Sequence, residues 1–206
     1  MSGHDEGAGP PGGSVRAVLL TPGAGSSAGH HTLVALETAL APRPVVRLDF
    51  PYRLAGRRFP DRAPVLVAHI VEAVGRLCDE HGCTPDEVLL GGRSMGGRMC
   101  SMAVAEGLGA AGLVLVSYPL HPPRKPEQLR TAHFPAIGVP CLFVSGTRDD
   151  FATVDELTAA TGAIAGPVTH RWVDGARHEL DRVDPLLCTL VLDWLGLPAP
   201  PPAAVD

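Results

Sequence analysis

Short apolar runs rich in β-branched residues alternate with segments of helical periodicity, and this alternation restricts the fold more than any other feature of the sequence. The runs are bounded by Gly, Pro or Asp, which is typical of strands buried on both faces of a parallel sheet. The predicted strands are Val15–Thr21, Pro44–Asp49, Glu87–Gly91, Gly112–Ser117, Pro140–Ser145 and Val168–Val173. The predicted helices are His31–Ala41, Ala63–His81, Met95–Glu106, Thr153–Thr161 and Asp184–Leu195. The pattern predicts an α/β fold, a three-layer α/β/α sandwich with a mostly parallel six-stranded sheet.

The length of 206 residues suits one domain, which we place at residues 14–197. The first residues are glycine-rich and polar and lack the apolar centre of a signal peptide, and the last are mostly Pro and Ala. We therefore expect residues 1–13 and 198–206 to be flexible tails. No apolar run approaches the roughly 18 residues that would span a bilayer, so we expect a soluble, cytoplasmic protein.

Charge and cysteine content exclude several classes of function. A net charge of −5 argues against nucleic acid or an anionic membrane as a partner. The five cysteines, an odd number, are expected to be free thiols in a reducing compartment. Cys78 and Cys83 have no second pair nearby, so we expect no metal, and no other cofactor is expected. The oligomeric state, monomer or homodimer, stays open.

The segment Gly92-Arg93-Ser94-Met95-Gly96 lies between the third predicted strand and a predicted helix. In a G-x-S-x-G turn the serine occupies a strained position at the tip, with its hydroxyl exposed. Gly92 and Gly96 permit close packing of strand and helix, and the helix N-terminus favours developing negative charge nearby. The pattern alone is weak, but a strand before it and a helix after it favour Ser94 as a nucleophile.

Where the nucleophile lies on such a strand-to-helix turn, the residues that activate it follow in the chain order serine, acid, histidine. Asp149 is the first carboxylate after the fifth predicted strand, with Asp150 as its immediate rival. His178 follows the sixth strand, whereas the other histidines lie inside a strand, on helices, in the tail or in the wrong chain order. We expect His178 to take the proton of Ser94 and Asp149 to orient His178.

Stabilising an oxyanion requires two backbone donors, one of which is the N–H that follows the nucleophile, at Met95. The other comes from the loop after the first strand, Thr21–Ser27, where Ala24 is our candidate.

The same loop supports an alternative. Residues 23–28 read Gly-Ala-Gly-Ser-Ser-Ala, which fits a dinucleotide-binding fingerprint, and Asp49 follows at about the distance of a ribose-binding acid. Against this, the loop is longer than the fingerprint uses, and Ser94, Asp149 and His178 stay unexplained.

Several segments together resemble a known group. They are Pro22–Gly25, Phe50–Tyr52, Gly92–Arg98, Tyr118–Pro123, Gly146–Asp149 and His178. On these motifs the chain resembles the small, lidless α/β-hydrolases related to dienelactone hydrolase, and within them it is most similar to the testis-expressed and NSL-complex-subunit-like hydrolases. The resemblance implies a compact α/β-hydrolase fold without a cap domain. One departure is Pro22, where such hydrolases usually have a histidine.

The leading hypothesis is a serine hydrolase that cleaves a small-molecule carboxylic ester or thioester through an acyl-enzyme. We expect substrate contacts from residues in the matched segments, namely Gly25, Tyr52, Arg93, Tyr118 and His121. Cationic side chains that could line the site suggest a carboxylate- or phosphate-bearing substrate, although the first two could instead pair with acids: Arg93, Arg98, Arg124, Lys125 and Arg130. A non-catalytic binding or scaffold protein and a dinucleotide-dependent oxidoreductase are the alternatives.

Overall fold

The computed structural model describes residues 14–198. This part of the chain contains six strands: β1 (Ala17–Thr21), β2 (Val45–Arg47), β3 (Val88–Arg93), β4 (Gly112–Val116), β5 (Cys141–Gly146) and β6 (Val168–Val173). Six α-helices accompany them: α1 (His31–Leu40), α2 (Pro51–Leu54), α3 (Ala63–His81), α4 (Met95–Ala105), α5 (Val154–Thr161) and α6 (Asp184–Trp194). The predicted tails, apart from Pro198, lie outside the described residues.

The strands form one sheet in the order β2-β1-β3-β4-β5-β6, and every neighbouring pair is parallel. From β1 the chain moves outward to β2, and then returns to place β3 on the opposite side of β1. The loops after β1 and β3 therefore diverge, and such a switch point leaves a crevice at the carboxyl ends of the strands.

Successive residues of the central strands pack alternately into two separate hydrophobic cores. In β1, Ala17 and Leu19 belong to one buried cluster, which also contains apolar residues of α3, α4 and α5. Val18 and Leu20 belong to the other cluster, which α1 and α6 complete. Because side chains alternate across a strand, both faces of the sheet are covered by helices. The predicted three-layer α/β/α sandwich is confirmed.

Several observed bounds differ from the predicted ones, and two of the differences lie close to the candidate site. Helix α2 was not predicted, since four residues are too few for an apolar periodicity to emerge. Strand β3 continues to Arg93, beyond the predicted end at Gly91, because Gly92 and Arg93 still pair with β4.

Among residues 14–198, no helix combines the length and apolar character needed to cross a membrane.

Candidate active site

Ser94 forms the tip of the turn between β3 and α4. Its backbone has φ 51° and ψ −119°, a combination that residues other than glycine rarely adopt. Its N–H donates to the Val116 carbonyl at 2.8 Å, and its own carbonyl accepts from the Arg98 N–H at 3.1 Å. These two bonds hold the strained turn between the sheet and the first turn of α4.

Two glycines of the turn allow β1, β3 and α4 to meet. A Cβ added to Gly96 would lie 2.5 Å from the backbone oxygens of Thr21 and Pro22. A Cβ on Gly92 would overlap the Thr21 hydroxyl, so a larger residue at either position would push the elements apart. The glycines of the G-x-S-x-G motif are therefore required by contact with the end of β1.

His178 connects Ser94 to a buried carboxylate. Its Nε2 lies 2.9 Å from Ser94 Oγ, and its Nδ1 lies 2.9 Å from both carboxylate oxygens of Asp149. The Asp149 side chain is 1% exposed, and it also accepts a hydrogen bond from the Phe151 N–H at 2.8 Å. Asp150, the rival acid, is exposed and lies 3.6 Å from Arg177 instead. The structure thus brings together the three side chains that chain order singled out.

Two further side chains fix the position of His178. The ring of Phe151 stacks on the imidazole, with 4.0 Å between the ring centroids. The buried guanidinium of Arg93 donates to the His178 carbonyl at 3.1 Å and to Glu179 Oε2 at 2.5 Å. Arg93, an expected substrate contact, lines the cavity but also anchors the loop that carries His178. Phe151 and Glu179 were not predicted from the sequence, where only their positions close to Asp149 and His178 in the chain could have indicated them.

The loop after β1 lies against the serine. A Cβ on Gly23 would be 3.6 Å from Ser94 Cβ. The Gly23 carbonyl accepts from the Ser26 N–H at 3.1 Å, and the Ala24 carbonyl accepts from the Tyr52 hydroxyl at 2.8 Å. Within residues 14–198, the N–H groups of Ala24 and Met95 have no acceptor, so both are available to a ligand.

A cavity of about 780 Å³ opens at these residues. That volume falls within the roughly 300–1,000 Å³ typical of small-molecule sites. Its walls are formed by the loop after β1, the start of α3, the turn at Ser94 with α4, and the loops after β4, β5 and β6. The lining residues are Gly23, Ala24, Gly25, Ser26, His30, Pro60, Asp61, Ala63, Leu66, Arg93, Ser94, Met95, Arg98, Met99, Pro119, Arg130, Phe151, His178 and Glu179.

Of the expected substrate contacts, Gly25 and Arg93 line this cavity, whereas Tyr52, Tyr118 and His121 are buried behind its walls. Tyr52 binds the loop after β1, as described above. The Tyr118 hydroxyl donates to the Arg130 carbonyl at 3.0 Å, and His121 Nδ1 donates to the Pro122 carbonyl at 2.8 Å. Each of these three side chains is thus bonded to a loop carbonyl, and none of them lines the cavity.

Burial and neighbouring cations lower the pKa of two histidines, His30 in the cavity wall and His133 close to Arg98. Burial, with a contribution from Arg93, lowers the pKa of His30. Burial, together with the charge of Arg98, lowers the pKa of His133 to about 4. Both imidazoles are therefore neutral at physiological pH.

Two observations bear on the dinucleotide alternative. Asp49 Oδ1 accepts a hydrogen bond from the Ala28 N–H at 2.7 Å, so this carboxylate closes the loop after β1. The strand order also differs from the 3-2-1-4-5-6 order of the dinucleotide-binding fold.

Comparisons with known proteins agree with this architecture. Residues 14–185 match a family described as alpha/beta hydrolase domain. An alpha-beta serine hydrolase homologue from Coxiella burnetii superposes with a TM-score of 0.71 at 17% identity, covering 86% of this chain and 84% of that chain. A monoacylglycerol lipase from Paleococcus ferrophilus gives a TM-score of 0.66 at 16% identity, with 86% and 93% covered. BorB, a type II thioesterase from the borrelidin biosynthetic cluster, gives 0.63 at 19% identity, with 89% and 93% covered. At these identities the likeness concerns the fold.

Proposed function

The chain belongs to the alpha/beta hydrolase domain family, and from that premise we propose that it is a serine hydrolase acting on carboxylic esters or thioesters through Ser94, His178 and Asp149. The observation that carries the proposal is the continuous chain of hydrogen bonds from Ser94 Oγ through both ring nitrogens of His178 to Asp149, each 2.9 Å long. Ser94 and His178 line a cavity of about 780 Å³, where a substrate could bind.

Each group has a distinct task in the reaction. Ser94 Oγ attacks the acyl carbon while His178 Nε2 takes the hydroxyl proton, and the same proton then leaves with the alcohol or thiol. Asp149 keeps the second ring nitrogen protonated and stabilises the imidazolium. Water, deprotonated by His178, then cleaves the acyl-enzyme and regenerates Ser94. The unpaired N–H groups of Ala24 and Met95 are the proposed oxyanion donors, and the Tyr52 hydroxyl keeps the Ala24 loop in position.

The structural neighbours support this class of reaction. They include a lipase and a thioesterase by name, which act on the two acyl bonds proposed for this chain. From its motifs we propose that the chain is similar to the testis-expressed and NSL-complex-subunit-like hydrolases and that its substrate is a small acyl molecule.

The proposal is tested by incubating the protein with a fluorophosphonate probe and mapping the adduct by mass spectrometry. We expect the phosphonyl group on Ser94, no labelling in Ser94→Ala and weak labelling in His178→Ala, because the probe requires an activated serine. Ser101→Ala is the matched control, since Ser101 also contacts a histidine, His133 Nε2 at 2.8 Å, but is fully buried.

Labelling of Ser101→Ala should equal that of the unmodified protein. Absence of labelling across the pH range would overturn the proposal and favour a binding or scaffold role. If Ser94 is labelled, the rates of hydrolysis of 4-nitrophenyl acetate and acetyl-coenzyme A distinguish a preference for esters from a preference for thioesters.

A further inference from the structure

The positive charges of the side chains that line the cavity outnumber the negative ones. Three arginines and two carboxylates line it: Arg93, Arg98, Arg130, Asp61 and Glu179. Glu179 pairs with Arg93 at 2.5 Å. Asp61 accepts two hydrogen bonds, of 2.6 and 2.9 Å, from an arginine outside the cavity lining. Within residues 14–198, Arg98 and Arg130 thus have no carboxylate partner, and two positive charges stay uncompensated in the cavity wall.

Arg98 is close to the proposed nucleophile. It lies one turn of α4 beyond Ser94, to whose carbonyl its N–H is bonded. Its Nε is buried and has no hydrogen-bond partner among the described residues. Buried polar atoms nearly always have a partner, and since Arg98 lines the cavity, its guanidinium can donate to a group bound there.

Arg130 is fixed in place on the neighbouring wall. Its N–H donates to the Leu120 carbonyl at 2.8 Å, its carbonyl accepts from the Tyr118 hydroxyl at 3.0 Å, and its guanidinium reaches the Pro119 carbonyl at 3.4 Å. Burial, followed by the nearby charge of Arg98, lowers the pKa of Arg130. Two like charges that are partly removed from water repel one another, and an anion between them would offset that cost.

We propose that Arg98 and Arg130 form a subsite for an anionic group, a carboxylate or a phosphate, carried by the substrate. The inference rests on the proposed function, because the anion is bound while Ser94 attacks an acyl carbon of the same molecule. Guanidinium groups match the oxygens of both anions with paired hydrogen bonds. Because Ser94, Arg98 and Arg130 line one cavity, a half-ester of a short dicarboxylic acid, which carries both an acyl carbon and an anion, is the simplest substrate of this class to test.

The test compares matched esters. The anionic substrates are 4-nitrophenyl hemisuccinate and its analogue with a phosphonate in place of the free carboxylate, and the neutral reference is 4-nitrophenyl methyl succinate. The measured quantity is the ratio of kcat/KM for each anionic ester to that of the neutral ester, which cancels general damage to the enzyme. We expect unmodified protein to prefer at least one anionic ester, and the ratio to fall roughly tenfold or more in R98Q and in R130Q, because each loses charge-assisted hydrogen bonds.

Arg76→Gln is the control for loss of one positive charge, since Arg76 is exposed on α3 away from the cavity. Its ratio should equal that of the unmodified protein, and Arg98→Lys should lie between R98Q and the unmodified protein. The ester with the larger ratio distinguishes a carboxylate from a phosphate ligand. Ratios near one that neither substitution changes would overturn the subsite while leaving the hydrolase proposal intact.

Anion binding is measured separately in the Ser94→Ala variant, and this measurement does not depend on turnover. Succinate or inorganic phosphate should raise the melting temperature of this variant, and adding R98Q or R130Q should abolish the rise. If fluorophosphonate labelling fails but this effect is present, the hydrolase proposal is wrong and the anion site stands. If neither anion shifts the melting temperature at millimolar concentration, the anion site is wrong.

Discussion

At the scale of single residues, the adjacent pair Asp149 and Asp150 provides the sharpest test of how the environment assigns a role. Asp149 is buried beneath His178 and bonded to it through both oxygens, whereas Asp150 is exposed beside Arg177. Asparagine in place of Asp149 can no longer impose the correct tautomer on His178, so we expect kcat for a nitrophenyl ester to fall roughly 10³-fold or more. Asp150→Asn should stay within about threefold, because a surface ion pair contributes little. Equal losses in the two variants would contradict the assignment.

Chain order and strand ends were enough to single out Ser94, Asp149 and His178 from the sequence, because the loops that follow parallel strands lie at one edge of the sheet. The side chains that fix the position of His178 could not be predicted from the sequence. Phe151 acts through a ring contact with His178, and Glu179 acts through an ion pair with Arg93. Neither contact produces a periodic pattern in the sequence. Such contacts depend on how the loops fold over one another, which the spacing of residues along the chain does not determine.

At the scale of elements, the junction of β1, β3 and α4 predicts opposite effects for two Gly→Ala substitutions in helices. In Gly96→Ala the new methyl group would lie 2.5 Å from two backbone oxygens at the end of β1, so we expect a loss of roughly 2 kcal/mol or more in the free energy of unfolding. Gly75 is inside α3, and an added Cβ would have no atom within 4 Å beyond its chain neighbours and the nearby backbone of its own helix, so Gly75→Ala should gain roughly 0.5–1 kcal/mol. Urea unfolding measures both. Equal stability of the two variants would show that the junction is looser than the contacts indicate.

Elements were predictable in proportion to the strength of their pattern. Helix α3 and strand β6 have the predicted bounds, since one carries a long apolar periodicity and the other lies between clear turn residues. Strand β2 is shorter than predicted, because it pairs with β1 over only three residues. Helix α2 has a single turn that depends on tertiary contacts, among them the Tyr52 hydroxyl bonded to the Ala24 carbonyl.

At the scale of the whole molecule, one topological fact organises the site. The strand order reverses between β1 and β3, so the loop with Ala24 and the turn with Ser94 both border the crevice at this edge of the sheet. The loops after β5 and β6 then bring Asp149 and His178 to the same edge. The site therefore requires every central strand in its place, and loss of activity should coincide with global unfolding.

Acid sensitivity is also a property of the whole fold, because burial lowers the pKa of three histidines, His30, His133 and His170, below the 6.5 of an exposed imidazole. For His133 the folded value is about 4. Between these values the unfolded chain binds more protons than the folded protein, so the free energy of unfolding rises with pH and is lost as pH falls from about 6.5 to about 4. Urea unfolding followed by tryptophan fluorescence at several pH values should show this slope, and a double variant, His133→Gln with His170→Gln, should flatten it. Glutamine keeps a hydrogen-bonding group beside Ser101 and Thr161, so a slope equal to that of the unmodified protein would assign the acid sensitivity to other groups.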